Sequence, residues 1–337
     1  MKKLQIYLLS VIILLILSGC TTSENEDSSL RSEISQESET IENLTYIGIL
    51  QLTSHPALDA ITEGIIDQLE TAGYVDGETA TIDFQNAQGD QSNMQSIAER
   101  FLSNEADVMI GIATPAAQAL VNVTDEIPIV MGAITDPVQA NLVNSLEIPG
   151  KNITGVSDKL PIEQQFDLMV TLLPELKTVG FIYSSSEDNS ASSANEAQKV
   201  AESLGLTVVT KTVNSANDVP QTAESLAKEV DAIWVPTDNT IATSIASLVS
   251  VTDGYSIPVF PSVDTMVEQG GLAGVGLNQY SIGIQTGKVT VDILEGANPS
   301  DYSVQFPDEI EIILNEEKAK QLNIEIPNHV RKNATIK

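Results

Sequence analysis

Two hydrophobic periods alternate along this chain. Short runs rich in β-branched residues, at Tyr46–Leu50, Ala80–Phe84, Asp107–Ile112 and Ile129–Met131, read as strands. Between them the apolar positions recur with helical spacing. From Leu58 to Leu69, for example, Leu58, Ile61, Ile65, Ile66 and Leu69 share one stripe. Further helices are expected over Ser92–Phe101 and Pro115–Val121. Beyond Asn152 the alternation restarts, with strands at Val179–Tyr183, Thr207–Lys211, Ala232–Val235 and Val259–Phe260. Strand and helix in strict alternation predict the α/β class, with parallel sheets covered by helices on both faces. The two halves also echo each other. Asp107 to Thr114 leads through a helix to Ile127-Pro-Ile, and Asp231 to Thr237 leads through a helix to Ile257-Pro-Val. We therefore expect two βα lobes with a cleft between them.

The amino terminus breaks this pattern. Lys2 and Lys3 precede an almost wholly aliphatic stretch, Leu4 to Leu17, which ends in Leu17-Ser-Gly-Cys20. A basic start, a short apolar run and small residues at its end form the layout of a secretory signal. The run is short for a span, which needs about 20 residues. Cys20, the only cysteine, stands where a bacterial lipobox carries its acylated residue, so residues 1–19 are expected to be removed and Cys20 lipidated. Residues 20–43 are Ser, Thr, Glu and Asn with few apolar positions, an acidic tether unable to bury enough surface to fold. As a flexible coil its ends would lie roughly 25–30 Å apart.

One cysteine rules out an internal disulfide, so the fold stands on its hydrophobic core. The formal charge is −31, and loss of Lys2 and Lys3 with the signal makes it −33. Such an acidic body repels nucleic acid and gives no reason to expect it as a partner.

In open parallel sheets ligands bind beyond the carboxyl ends of strands, so the turns after strands are the informative positions. In the first half these are Gln51 to Pro56, Ala113 to Ala116 and Ala133 to Pro137. Thr114 is placed to cap a helix with proline at its first position, and a helix start offers a seat for a carboxylate. In the second half the turns are Tyr183 to Ser190, Pro236 to Asn239 and Pro261 to Asp264. They are rich in hydroxyls, amides and carboxylates and poor in Lys and Arg, a lining that suits a zwitterion. Asp238 is the first candidate for an ammonium partner, followed by Asp136 and Asp264; helix capping is the alternative role for each. Enzyme signatures are missing. His55 and His329 are the only histidines and lack metal-ligand spacing, the dinucleotide pattern fails after Gly274-Val-Gly276, and Gly155-Val-Ser157-Asp-Lys is no nucleophile elbow. We expect neither catalysis, metal nor cofactor.

At these same turns the chain resembles the ABC-transporter substrate-binding lipoproteins that include tryptophan-binding members of Gram-positive bacteria. The resemblance spans Ile47 to Asn298 and is carried by Gly48-Ile-Leu-Gln51, His55-Pro-Ala-Leu-Asp59, Gly73-Tyr-Val-Asp-Gly77, Gln85 to Asp90, Ala113 to Gln118, Thr135-Asp-Pro-Val138, Asn152 to Asp158 and Pro236-Thr-Asp-Asn239. It implies a type I periplasmic-binding-protein fold, with three crossovers joining lobes of residues 44–158 plus 265–296 and 159–264 plus 297–337. It implies a cleft holding Thr53, Ser54, Thr114, Ala116, Thr135, Asp136, Ser185, Asn189, Ser190, Asp238 and Asn239. Phe84, Tyr183, Phe260 and Tyr280 are the aromatic candidates, and Trp234 is expected in the core. The implied protein is a monomer lipid-anchored on the outer face of the cell membrane. It would close on an amino acid, aromatic and tryptophan first, and deliver it to an ABC permease with its ATPase. A surface sensor or adhesin on the same fold is the alternative.

Overall fold

The computed structural model describes residues 44–307 and 309–337. The signal sequence, Cys20 and the tether lie outside the described residues.

The first half runs β1 (Thr45–Gln51), α1 (Pro56–Thr71), β2 (Ala80–Asn86), α2 (Gln91–Ser103), β3 (Val108–Ile112), α3 (Thr114–Val121), β4 (Ile129–Gly132) and β5 (Ile153–Gly155). Its strands pair in parallel in the order β2-β1-β3-β4-β5. The second half runs α4 (Ile162–Leu172), β6 (Thr178–Ser184), α5 (Asp188–Ser203), β7 (Thr207–Val213), α6 (Val219–Ala227), β8 (Ala232–Val235), α7 (Asn239–Ala242), α8 (Ile245–Asp253) and β9 (Val259–Pro261). Its sheet is ordered β7-β6-β8-β9 and is also parallel. Every strand and helix expected above is present, because their apolar runs are long enough to be sheathed on both faces.

The order reverses between β1 and β3, and again between β6 and β8. Each reversal opens a crevice at the strand ends, where the loops diverge to either face. The two crevices face each other across the cleft.

The chain closes with α9 (Asp264–Glu268), β10 (Ala273–Gly276), α10 (Gln279–Leu294), β11 (Glu311–Leu314), α11 (Glu316–Gln321), α12 (Asn328–Lys332) and β12 (Ala334–Ile336). Here the sequence-based boundaries and the packing differ. Residues 265–276 were expected with the first lobe, yet Met266, Leu272, Ala273 and Val275 pack into the second. The first core resumes at Leu277 and continues through Ile282, Val289, Ile293 and Val304. The chain thus crosses near Leu160, at Gly276–Leu277 and after Val304. The reason is physical. β10, Ala-Gly-Val-Gly, is too short and too glycine-rich to announce itself, but it pairs antiparallel with β11, which pairs in parallel with β12. That small third sheet anchors 265–276 to the second lobe.

Candidate ligand cleft

Three turns of the first lobe build one wall of the cleft. After β3, Ala113 has φ 76° and ψ 154°, a conformation nearly reserved for glycine. After β4, Ala133 has φ 57°. Both alanines line a narrow cavity between the lobes, beside the buried Thr114 and Thr135. Ala113, rather than the expected Thr114, occupies the cap position of α3, so Thr114 opens the helix. The first bond back into α3 is from Ala117 N–H to Ala113 O, leaving the N–H groups of Thr114 and Ala116 without a backbone partner. Pro115 has none to offer. Two free donors and the helix dipole, worth about half a positive charge, stand at this end.

The opposite wall comes from the second lobe. Asn189, in the first turn of α5, donates its amide to Thr237 O at 2.8 Å. That bond fixes which atom is oxygen, and Asn189 Oδ1 is buried in the cavity wall without a partner. Asn239 donates its amide to the buried Glu187 at 2.7 Å, so its oxygen is left as an acceptor. His55, just before α1, supplies the Nε2–H that fills it at 3.1 Å, a bond made across the cleft. Burial lowers the His55 pKa, keeping the ring neutral. Its Nδ1 is therefore a bare lone pair, and it too is buried in the cavity wall unpartnered. Asp158, on the first segment that crosses between the lobes, completes the set. Burial pushes its carboxyl up to about 6, and its Oδ1 has no partner. Among the described residues these three atoms are the unsatisfied buried side-chain groups, and all three belong to this one cavity.

Asp238 also lines the cavity, but both its oxygens are engaged. They accept from Ser184 N–H at 2.6 Å and Ile241 N–H at 2.7 Å, tying β6 to α7. Burial, and then the nearby Glu187 carboxylate, push its pKa well above the usual range. Glu187 in turn accepts from the backbone and side chains of Asn239 and Thr240.

A second narrow chamber adjoins the first and shares Thr135 and Thr237 with it as a common wall. Asp136 lines it, capped by Gln139 N–H and 3.4 Å from Lys159 Nζ. Trp234 is buried as expected, packed at a tilt against Phe166 and Phe181, but it also lines this chamber.

The other sequence candidates fall elsewhere. Thr53 lines the outer mouth beside Asn239 and Thr240. Ser54 turns to Asp59, Ser185 turns to Asn214, Ser190 is buried behind the lining, and Ala116, its methyl buried there too, counts only through its backbone N–H. Asp264 sits against Glu268, Lys337 and Glu311 of the third sheet, its carboxyl pushed up to about 6 by burial, and does not border either chamber. Phe84 and Tyr280 are exposed and Phe260 is core; none of the four aromatic candidates lines a chamber. Sequence reasoning passed over His55, Asp158 and Gln165. His55 lies in the turn after β1, where the same strand-end rule finds Thr53, but nothing in the sequence signals that one of its ring nitrogens stays unpaired.

Further polar bonds bridge the lobes. Gln118 donates to Asp188 at 3.2 Å and Ser192 to Gln139 at 2.9 Å. The lobes are closed on each other. The "ABC domain in complex with L-Trp" from Streptococcus pneumoniae is 45% identical and matches with a TM-score of 0.85, covering 87% of this chain and 99% of that one. The ligand-free, open structure of a substrate-binding protein with adhesive properties from Clostridium difficile is 40% identical over the same shares, but its TM-score is 0.67. A tyrosine-binding protein of Clostridioides difficile is 39% identical over 325 residues, 96% of this chain and 93% of that protein. The family model described as ABC transporter substrate binding protein matches residues 46–337. With that match across the whole folded body, the chain belongs to the ABC transporter substrate-binding proteins.

Proposed function

We propose that this protein captures a free aromatic L-amino acid in the closed cleft and hands it to an ABC permease. The carrying observation is the convergence of His55 Nδ1, Asp158 Oδ1 and Asn189 Oδ1 on one cavity. All three are acceptors, and a buried acceptor left unpaired costs about 1–3 kcal/mol. An α-ammonium brings three N–H donors and a charge that Asp158 can balance. The free N–H groups at α3, with the Thr114 and Thr135 hydroxyls, are the complementary seat for the α-carboxylate. The aromatic side chain is supported by the relatives described with L-Trp and as tyrosine-binding.

The test is a thermal-shift series with each of the twenty amino acids, on protein unfolded and refolded to strip any carried ligand. At a hundredfold excess over Kd the bound form gains about 2.7 kcal/mol. No shift with any of them would sink the reading. In the same proposal, acylated Cys20 holds the protein on the outer face of the membrane, within reach of the permease. A second, adhesive role is favoured by one observation: a 40%-identical relative is described as having adhesive properties. Binding of the intact protein to host-cell surfaces, with and without ligand, tests it.

A further inference from the structure

The second chamber is lined by an amide donor that the fold does not use. Gln165, on α4, is 5% exposed. Its Oε1 accepts from Trp234 Nε1 at 2.8 Å and from Ser262 Oγ at 2.6 Å. An indole N–H can only donate, so this contact fixes which end of the amide is oxygen. The other end, Nε2 with two N–H groups, donates to no described residue, and the side chain lines the chamber. Its position is held rigidly, because Trp234 is itself packed against Phe166 and Phe181, which also touch each other. The chamber adjoins the proposed ammonium and carboxylate seats through Thr135 and Thr237.

Resting on the amino-acid reading above, we propose that Gln165 is a specificity-determining residue whose Nε2 donates to an acceptor at the end of the ligand side chain. A phenol supplies such an acceptor. A phenyl ring supplies none, so it would shut water away from the amide without replacing it, and an indole offers only another donor. The ligand class is therefore a hydroxyl-bearing aromatic amino acid, tyrosine ahead of tryptophan, which reverses the order taken from the sequence. A site built to bond a substrate hydroxyl rejects the analogue lacking it strongly, while an added methylene is discriminated only weakly.

The experiment is isothermal titration of the full folded body with L-tyrosine, L-phenylalanine and L-tryptophan. Tyrosine is expected to bind at least tenfold more tightly than either of the others. In Gln165→Met the tyrosine-to-phenylalanine ratio should collapse toward one. Gln165→Glu keeps an oxygen for Trp234 and Ser262 but replaces the amide donor by a carboxylate acceptor, to which a phenol O–H and an indole N–H can both donate, so tyrosine's lead over tryptophan should narrow while its lead over phenylalanine persists. Should Gln165→Met fail to fold by circular dichroism, Gln165→Glu carries the test alone. Equal binding of tyrosine and phenylalanine by the unaltered protein, or an unchanged preference in the folded variants, overturns this inference and leaves the amino-acid reading standing. No binding of any of the three overturns both.

Discussion

Asp158 works against the fold that carries it. Burial raises its carboxyl to about 6, whereas in the unfolded chain an aspartate titrates near 4. Across that window the native state holds a proton that the unfolded chain has lost, so stability falls as pH rises through it. At neutral pH the ligand-free protein is less stable by about 2–3 kcal/mol on this account. Asp158→Asn should therefore raise the ligand-free melting temperature while lowering amino-acid affinity by two orders of magnitude or more. A variant that loses both stability and binding would instead mark Asp158 as structural. Acid should weaken binding in the unaltered protein too. Below pH about 6 a single proton on Asp158 removes the charge that balances the ammonium, and affinity falls about tenfold per pH unit. His55 adds to this: its pKa is lowered by burial, so its contribution to stability is lost as pH falls below its ordinary value, and protonation converts its free acceptor into a donor. Titration of Kd between pH 5 and 8 checks the slope. Asp238, the first choice from the sequence, has both oxygens committed to backbone N–H groups. Asp238→Asn is expected to cost stability before specificity, read by denaturant midpoint.

At the scale of elements, periodicity did most of the predictive work. β1 and β3 are buried along nearly their whole length, and runs of aliphatic residues reveal such strands directly. The turns that carry the site were legible from the same pattern, because a strand's end locates them whatever they contain. What could not be read was which atoms in those turns are left unpaired. Asn189 and Asp136 look alike as polar turn residues, yet one keeps a free oxygen in the cavity and the other caps a turn and pairs with Lys159. The third sheet was also hidden, since β10 and β12 span four and three residues. The contact of α1 with α10 was hidden for a different reason. The helices touch through glycine, and a Cβ on Gly283 would lie 2.2 Å from Ile61 O. Separated by more than 200 residues, the two faces carry no local signal of each other. Gly283→Ala must push the helices apart and is expected to cost about 3 kcal/mol or more, measured by urea unfolding.

For the whole molecule, closure is the functional coordinate. His55–Asn239, Gln118–Asp188 and Gln139–Ser192 form only when the lobes meet. Asn239→Ala removes the buried one of these, and Glu187 keeps its bonds to Thr240. The variant should have a larger radius of gyration by small-angle scattering, and release ligand several-fold faster with little change in the association rate. Unchanged scattering and off-rate would mean the cross-cleft bond follows closure without favouring it. Replacing Cys20 by Ala, by contrast, should leave affinity intact and shed the protein into the medium, as fractionation would show.

The chain passes between the lobes three times, near Leu160, at Gly276–Leu277 and after Val304. A single connecting strand would let one lobe spin freely on the other. Three side by side permit bending about a single axis and resist twisting, so opening has one degree of freedom. One pair of spin labels or fluorophores, placed on the lips of the cleft, would then report the whole conformational state, and neither lobe could be cut from the gene as a continuous fragment.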